Sequence, residues 1–368
     1  MSGALTELVA KGVQDAYLTG DPQVSFFHQT YKRHTNFAQK PVLVDFTGTA
    51  GASQQINMKL INKGDLLGYI WMDLTATSTT VNTLQDTIFE LYIGGQLIDR
   101  QDGFYMIQLW QKFLVDSSAK GFATIPFIED GALLTDITSS QWLPLHFFFC
   151  DSMCYLPLLA LQYHEVEVRI TFGSGATFNA QPAFYANYVV LDTSERDVIV
   201  KKEHDLLIEQ VQKITAESPG TNSTNKFDLS YLNHPVKCLL WGNSDGTNPF
   251  YSNTVQLYLN GTEVFGSPMS DVFFTQVQGY YHSEFASGIL KGQGGAAGAA
   301  NSGRNLKMYS FALKANKHQP CGTCNFSRLD NAALTFTQVG APTTLNLYAV
   351  NFNIFRIKNG LGGLAFGS

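Results

Sequence analysis

Along most of the chain, apolar and polar positions alternate, or apolar residues run together for four to eight positions between turn formers. This spacing predicts strands at Gln55 to Leu60, Leu67 to Leu74, Ile88 to Ile98, Leu145 to Phe149 and Val166 to Phe172. The second half continues with Leu206 to Val211, Val236 to Trp241, Val255 to Leu259, Met308 to Leu313, Ala333 to Phe336 and Leu345 to Ile357. Helical spacing is confined to short stretches. Leu5, Leu8, Val9, Val13, Ala16 and Tyr17 share one helical face and end near Gly20-Asp21-Pro22, which predicts a short amphipathic N-terminal helix; Phe104 to Phe113 is a second helical patch.

The halves resemble each other. Leu91-Tyr92-Ile93-Gly94-Gly95 has a counterpart 166 positions on in Leu257-Tyr258-Leu259-Asn260-Gly261. Gly-Gly and Asn-Gly both supply the positive φ angles of a tight hairpin turn. Ile70-Trp71 answers to Leu240-Trp241 at 170, and Ile170-Thr171-Phe172 to Leu334-Thr335-Phe336 at 164. Shared order and near-equal spacing predict a duplicated all-β domain. So many strands with long connections fit two tandem eight-stranded jelly-roll β-sandwiches, preceded by the N-terminal helix or arm. The charged stretch Asp192 to Asp197, with Lys201-Lys202-Glu203, marks the boundary. The expected division is an arm at 1–25, a first jelly roll at 26–200 and a second at 201–368. The Gly- and Ala-rich segment Gly292 to Gly303 reads as a flexible loop, and the aligned Trp71 and Trp241 as core residues.

Composition sharpens this picture. Charged residues are 15% of the chain against 45% hydrophobic and 13% aromatic, in 368 residues with 27 Phe. Surface that avoids water must meet protein, which points to large contacts between subunits. A net charge of −6 leaves no cationic excess for a phosphate backbone, so direct nucleic-acid binding is not expected. The apolar stretch Leu143 to Leu161 is interrupted by Pro144, His146, Asp151 and Pro157, and reads as two strands and a turn rather than a transmembrane segment. Met1 to Ala10 lacks a basic region followed by an apolar run, so no secretory signal is expected. The helix Leu5 to Leu18 carries Lys11 as its only base, which favours docking on protein over lying on a membrane.

Candidate chemistry adds little. Cys321-Gly322-Thr323-Cys324, near His318, has zinc or redox spacing, and Cys150 with Cys154 is a second close pair; free thiols are expected, with no metal and no cofactor. Gly292 to Ala297 imitates a dinucleotide fingerprint but lacks the βαβ context. Glu165, Glu167, Asp192 and Glu195 are carboxylates that a glycosidase would need in pairs, but alternation of Glu165 and Glu167 reads as one solvated strand face. Tyr31-Lys32-Arg33-His34 mixes bases and an aromatic residue as nucleic-acid patches do, yet stands alone. Asn222, Asn260 and Asn325 begin glycosylation sequons that are expected to go unused. No catalytic residue is assigned, and no enzymatic activity is expected. A carbohydrate-binding or carbohydrate-active double β-sandwich of a virion surface is the alternative; exposed Trp or Tyr platforms lining a cleft would mark it.

Several blocks resemble the major capsid proteins of nucleocytoplasmic large DNA viruses, the chlorovirus, iridovirus and mimivirus-like group. Gly12-Val13-Gln14-Asp15-Ala16-Tyr17-Leu18-Thr19-Gly20 through Phe26-Phe27 to Tyr31 to Phe37 is similar to that family's opening. Leu156 to Val166, Leu207 to Val211, Gly322 to Asp330, and Tyr348 to Asn353 running to Gly360 to Ala365 follow in family order. The resemblance implies two successive jelly rolls, a homotrimer forming a pseudo-hexameric capsomer, and an icosahedral capsid over an internal membrane. It implies partners in neighbouring capsomers, minor capsid proteins and the penton protein, and assembly in the host cytoplasm. The chain is shorter than many relatives, with compact segments where the family carries long outer loops.

Overall fold

In a computed structural model, the described residues are 2–29, 31–77, 81–115, 142–151, 154–218, 224–243, 251–283, 306–339 and 343–367. The loop Gly292 to Gly303, with its Gly292 to Ala297 fingerprint, and Asn222 lie outside them. Two compact units are present, Met1–Asn36 and Phe37–Ser368.

In the first unit the expected helix is interrupted. Ser2–Val9 is α-helical, Val13–Asp15 is a 3-10 turn and Ala16–Thr19 is a second short helical turn. Gly12 is extended between them, and its N–H donates to Asp15 Oδ2 at 2.6 Å, so the carboxylate caps the restart.

The second unit is built from antiparallel strands, several of which, such as Ile88–Ile93 and Val166–Thr171, turn alternate side chains into the core. Its first set is β1 (Phe37–Val44), β2 (Phe46–Gly48), β3 (Gln55–Leu60), β4 (Leu66–Asp73), β5 (Ile88–Ile93), β6 (Gln96–Asp102), β7 (Trp142–Pro144), β8 (Leu156–Pro157), β9 (Val166–Thr171) and β10 (Ala183–Leu191). They pair antiparallel in two sheets, one ordered β1-β10-β4-β7 with β8 also on β4, the other β2-β3-β9-β5-β6. The second set is β11 (His204–Ser218), β12 (Thr224–Asp228), β13 (Pro235–Asn243), β14 (Tyr251–Leu259), β15 (Thr262–Glu263), β16 (Met269–Ser270), β17 (Lys307–Ser310), β18 (Cys324–Asn325), β19 (Ala332–Val339), β20 (Thr343–Lys358) and β21 (Leu361–Leu364). Its sheets run β11-β20-β13-β17, with β18 and β21 added, and β12-β19-β14-β15, with β16 on β14. Non-consecutive neighbours in both sets are the mark of jelly-roll sandwiches, and the second set repeats the strand order of the first.

The three internal matches fall on topologically equivalent strands: β5 with β14, β4 with β13 and β9 with β19. Two keep their faces. Leu91 and Leu257 are both buried, as are Ile170 and Leu334. The match of Ile70-Trp71 with Leu240-Trp241 is one residue out of register. Ile70 and Met72 face the first core, which leaves Trp71 half-buried on the opposite face, whereas Trp241 is fully buried in the second core. A one-residue slip exchanges the faces of a strand. Trp71 is therefore not a core residue, contrary to expectation. β13 hides the difference because both its faces are covered: Leu239 and Trp241 join the second core, while Cys238 and Leu240 join the first.

One further expectation changes, and three gain detail. Ile88 to Ile98 is two strands of a hairpin turning at Gly94 (φ 59°) and Gly95 (φ 79°). Leu145 to Phe149 is not a strand. After β7 the chain enters a 3-10 turn at Phe148–Cys150, which buries Phe147, Phe148 and Phe149 together where a strand would turn alternate rings outward. The charged stretch after Asp192 is a helix, Thr193–Lys201, in which Arg196 reaches Asp65 at 3.1 Å. The helical patch at Phe104 to Phe113 is a π-helix, Tyr105–Leu114.

Candidate functional site

The two sets of strands are not separate beads. The core that begins in the first sandwich continues through the π-helix to Ile208, Leu240, Met308, Tyr348, Val350 and Phe355 of the second. Phe148 meets Phe355 at 6.1 Å between ring centroids, and Tyr105 meets Tyr348 at 5.6 Å.

A polar clamp lies along this junction, where β11 runs past β6. Asp99 Oδ1 accepts from the Val211 N–H at 3.0 Å, and the Gln210 amide donates to the Ile98 carbonyl. Gln210 is held in turn by Asn353, whose Nδ2 donates to it at 2.9 Å. Asp102 Oδ2 accepts from Lys213 Nζ and from the Tyr348 hydroxyl, both at 2.7 Å, and its Oδ1 from the Tyr105 N–H at 3.0 Å. Each bond joins a first-half group to a second-half group, or braces one that does. Burial pushes the Asp99 carboxyl up to about 7, against the pull of three N–H donors, from Val211, Gln101 and Arg100.

Beside the clamp, Glu209 forms an ion pair with buried Lys237 and faces His318 at 3.5 Å, while His318 Nε2 meets the Leu207 carbonyl at 3.0 Å. Burial works against a charge on His318, but Cys154 and Glu209 outweigh it and raise the imidazole to about 10. Elsewhere Lys112 of the π-helix donates to the Leu306 carbonyl at 2.9 Å, and burial beside Lys307 pulls it down to about 7.

The C-terminal hairpin makes a second clamp. The Tyr163 N–H donates to Gly360 at 3.1 Å, His164 sits against Gly362, and the Leu364 N–H reaches Gln96 Oε1 at 3.4 Å. Gly94 has to be glycine for two reasons: its φ is positive, and a Cβ there would lie 2.4 Å from the His164 ring. The blocks that carry the resemblance, Leu156 to Val166, Leu207 to Val211 and Tyr348 to Ala365, thus meet at the junction.

The residues singled out for chemistry are dispersed. Glu165 pairs with Lys59 at 2.8 Å and Glu167 with Arg169 at 3.0 Å, both on β9 or leading into it, while Asp192 and Glu195 belong to the helix between the halves. His318 joins Glu209 and Cys154 rather than Cys321 and Cys324; Cys321 Sγ instead contacts Lys314. All five cysteines are free thiols, and burial pushes Cys150 and Cys238 up to about 12. Among the described residues no three His, Cys, Asp or Glu side chains are grouped to hold a metal ion. Asn260 (φ 48°) uses its Oδ1 to accept from the N–H groups of Asp330 and Asn331, and Asn325 caps a 3-10 turn through Ser327. In the first unit, His34 Nδ1 lies 2.7 Å from the Thr35 carbonyl.

The pair of sandwiches, locked by buried polar groups at one junction, defines the double jelly-roll class of shell proteins. The family described as large eukaryotic DNA virus major capsid protein matches residues 195–363, and that described as major capsid protein N-terminus matches residues 25–200. The major capsid protein of Pyramimonas orientalis virus is 34% identical, and that of Paramecium bursaria Chlorella virus 1 is 30% identical, each over the whole of both chains. The solved PBCV-1 virus capsid covers 94% of this chain and 100% of its own, with a TM-score of 0.77 at 27% identity. The chain belongs to the family of major capsid proteins of large eukaryotic DNA viruses. It is a structural protein of the virion capsid and not an enzyme. The alignment with the Paramecium virus protein spans 452 positions against 368 residues here, so that relative carries insertions this chain lacks.

Proposed function

We propose that three copies of this chain form a capsomer of nearly sixfold outline that tiles the icosahedral shell. The observation that carries this reading is the junction: two similar sandwiches held in one fixed relation by a shared core and a buried polar clamp. Three such pairs around a threefold axis place six similar sandwiches in a ring, and a ring of that outline packs on a hexagonal net. A hinge between the sandwiches would blur the outline, which is why buried, directional bonds at the junction matter more here than their net energy. In this reading the working parts are an arm at 1–25, a first jelly roll at 26–200 and a second at 201–368. The arm bridges beneath the capsomer to a neighbour or a minor capsid protein, penton proteins close the vertices, and an internal membrane lies inside the shell. Assembly takes place in the host cytoplasm. Among the described residues no helix is long and apolar enough to cross a membrane, so the membrane is a neighbour in this reading.

Negative-stain imaging of the purified chain tests it. Particles of hexagonal outline with threefold symmetry are expected, and removal of residues 1–20 should leave those particles intact while weakening their association into sheets. Particles the size of one chain, with no hexagonal class, would contradict the proposal.

A further inference from the structure

Within the chain, the start of the first π-helix covers one face of the sheet β11-β20-β13-β17. Phe104 and Tyr105 lie 6.1 and 5.6 Å from the Tyr348 ring, and Tyr348, Leu240 and Met308 all belong to the first core. Each sandwich has such a helix and such a sheet. Two sandwiches in tandem therefore make this contact once, and leave over the helix of the second and the sheet face of the first.

The sheet face that is left over can be located residue by residue. The pairing of β10 with β4 is bulged between Ala186 and Tyr188, and that of β13 with β20 between Val236 and Cys238. Superposing the bulges aligns the row Leu43, Tyr185, Trp71 and Pro144, across β1, β10, β4 and β7, with the row Lys213, Tyr348, Leu240 and Met308. Tyr348, Leu240 and Met308 are buried by the first sandwich, whereas Leu43 is 49% exposed and Tyr69, beside Trp71, is 43% exposed. The rings of Tyr69, Trp71 and Tyr185 run together at 5.8 and 5.0 Å as one apolar band.

The helix that is left over is a second π-helix, Phe273–Val277, continued by the α-helix Gln278–His282. Both π-helices follow a short helical start, at Gly103 and at Asp271, which aligns Phe104 with Val272 and Lys112 with Tyr280. Phe104 is buried; Val272 is 54% and Tyr280 71% exposed.

The two sides have changed their chemistry together. On the sheet, Lys213 gives way to Leu43, and the Val211 N–H that Asp99 accepts gives way to Pro41, which has no N–H to offer. On the helix side, Asp102 aligns with Ser270, and Gly266-Ser267-Pro268-Met269 before it holds no carboxylate in place of Asp99. Asp271, the acid that follows, is engaged by Lys307 at 3.1 Å. Acid and base are thus lost from both surfaces at once, so the two can meet without burying an unmatched charge.

We propose that the second π-helix of one copy, through Val272 and Tyr280, docks on the face of β1, β10 and β4 that carries Leu43, Tyr69 and Trp71 in the next copy. The contact is head-to-tail, and repeated around an axis it closes into a ring. The count of three rests on the capsomer reading above, to which this assignment adds the surfaces. The full chain carrying Val272→p-benzoylphenylalanine is irradiated after its mass has been taken by light scattering. A covalent two-chain species is expected on a denaturing gel, with mass spectrometry placing the crosslink on β1, β4 or β10. Leu43→Glu and Val272→Glu, both at exposed positions, should each raise the concentration at which the assembly falls apart about tenfold or more. Crosslinks between copies that fall on other strands would overturn the proposal, as would an assembly equally resistant to dilution in both glutamate variants. A three-chain mass with crosslinks elsewhere removes the docking alone, whereas a wild-type mass of one chain removes the capsomer reading and the docking with it.

Discussion

Asp102 is the residue on which the junction converges, since it accepts from Lys213, from Tyr348 and from the backbone of Tyr105. Hydrogen bonds to a charged acceptor contribute about 1.5–3 kcal/mol. Tyr348→Phe keeps the ring against Tyr105 and removes one such bond, so unfolding in urea should show a loss at the low end of that range, roughly 1.5 kcal/mol. Asp102→Ala should cost more, because it strands a buried hydroxyl and removes the partner of Lys213. Asp99 gives the junction a pH signature. Its carboxyl titrates at about 7 in the fold against 3.8 ordinarily, so between those values the native state holds a proton that the unfolded chain has lost. Stability contributed at this site is therefore greatest below the ordinary value and declines as pH rises toward the folded value. Asp99→Asn removes this titration. The difference in urea midpoint between wild type and variant should change across that window and level off above it; a flat difference would show that Asp99 is ionised throughout.

At the scale of elements, β4 and β13 show how much the sequence discloses. Their equivalence could be read from Ile70-Trp71 and Leu240-Trp241, but the faces could not, because β13 is apolar on both sides and offers no period-two signal with which to set the register. Trp241→Ala should cost about 3–5 kcal/mol, as large core truncations do, and Trp71→Ala less than half as much by thermal or urea unfolding. β5, β9 and β19 were legible because each buries alternate residues of its sequence, while β14, which buries Val255, Gln256 and Leu257 in a row, was legible from its β-branched and aromatic residues and the Asn260-Gly261 turn that follows. β1 was not, since its burial pattern is almost uniformly exposed, and β10 was not expected although four consecutive residues, Ala186 to Val189, are buried in it. The Gly94-Gly95 turn was legible as a turn, but only the fold reveals that the two glycines differ. Gly95→Ala meets open space and carries backbone strain alone, about 1–2 kcal/mol. Gly94→Ala adds a collision with the His164 ring, and should be the more destabilising by an amount that a side-by-side denaturant titration resolves.

For the molecule as a whole, the duplication was visible and the junction was not. Its parts are scattered over Asp99, Asp102, Glu209, Gln210, Lys213, Tyr348 and Asn353, which carry no spacing in common and meet only because β11 passes β6. The resemblance supplied the blocks in which several of these residues sit; the fold shows that those blocks converge. Two sandwiches joined by one continuous core unfold together, whereas a flexible linker would let them melt apart. The central claim is that this rigid pair is one third of a capsomer, and the mass of the purified chain by light scattering, followed over a range of concentrations, tests it most directly. A species of about three times the 40.6 kDa chain mass, persisting on dilution, is the predicted result. A mass that stays at one chain at every concentration would contradict the account.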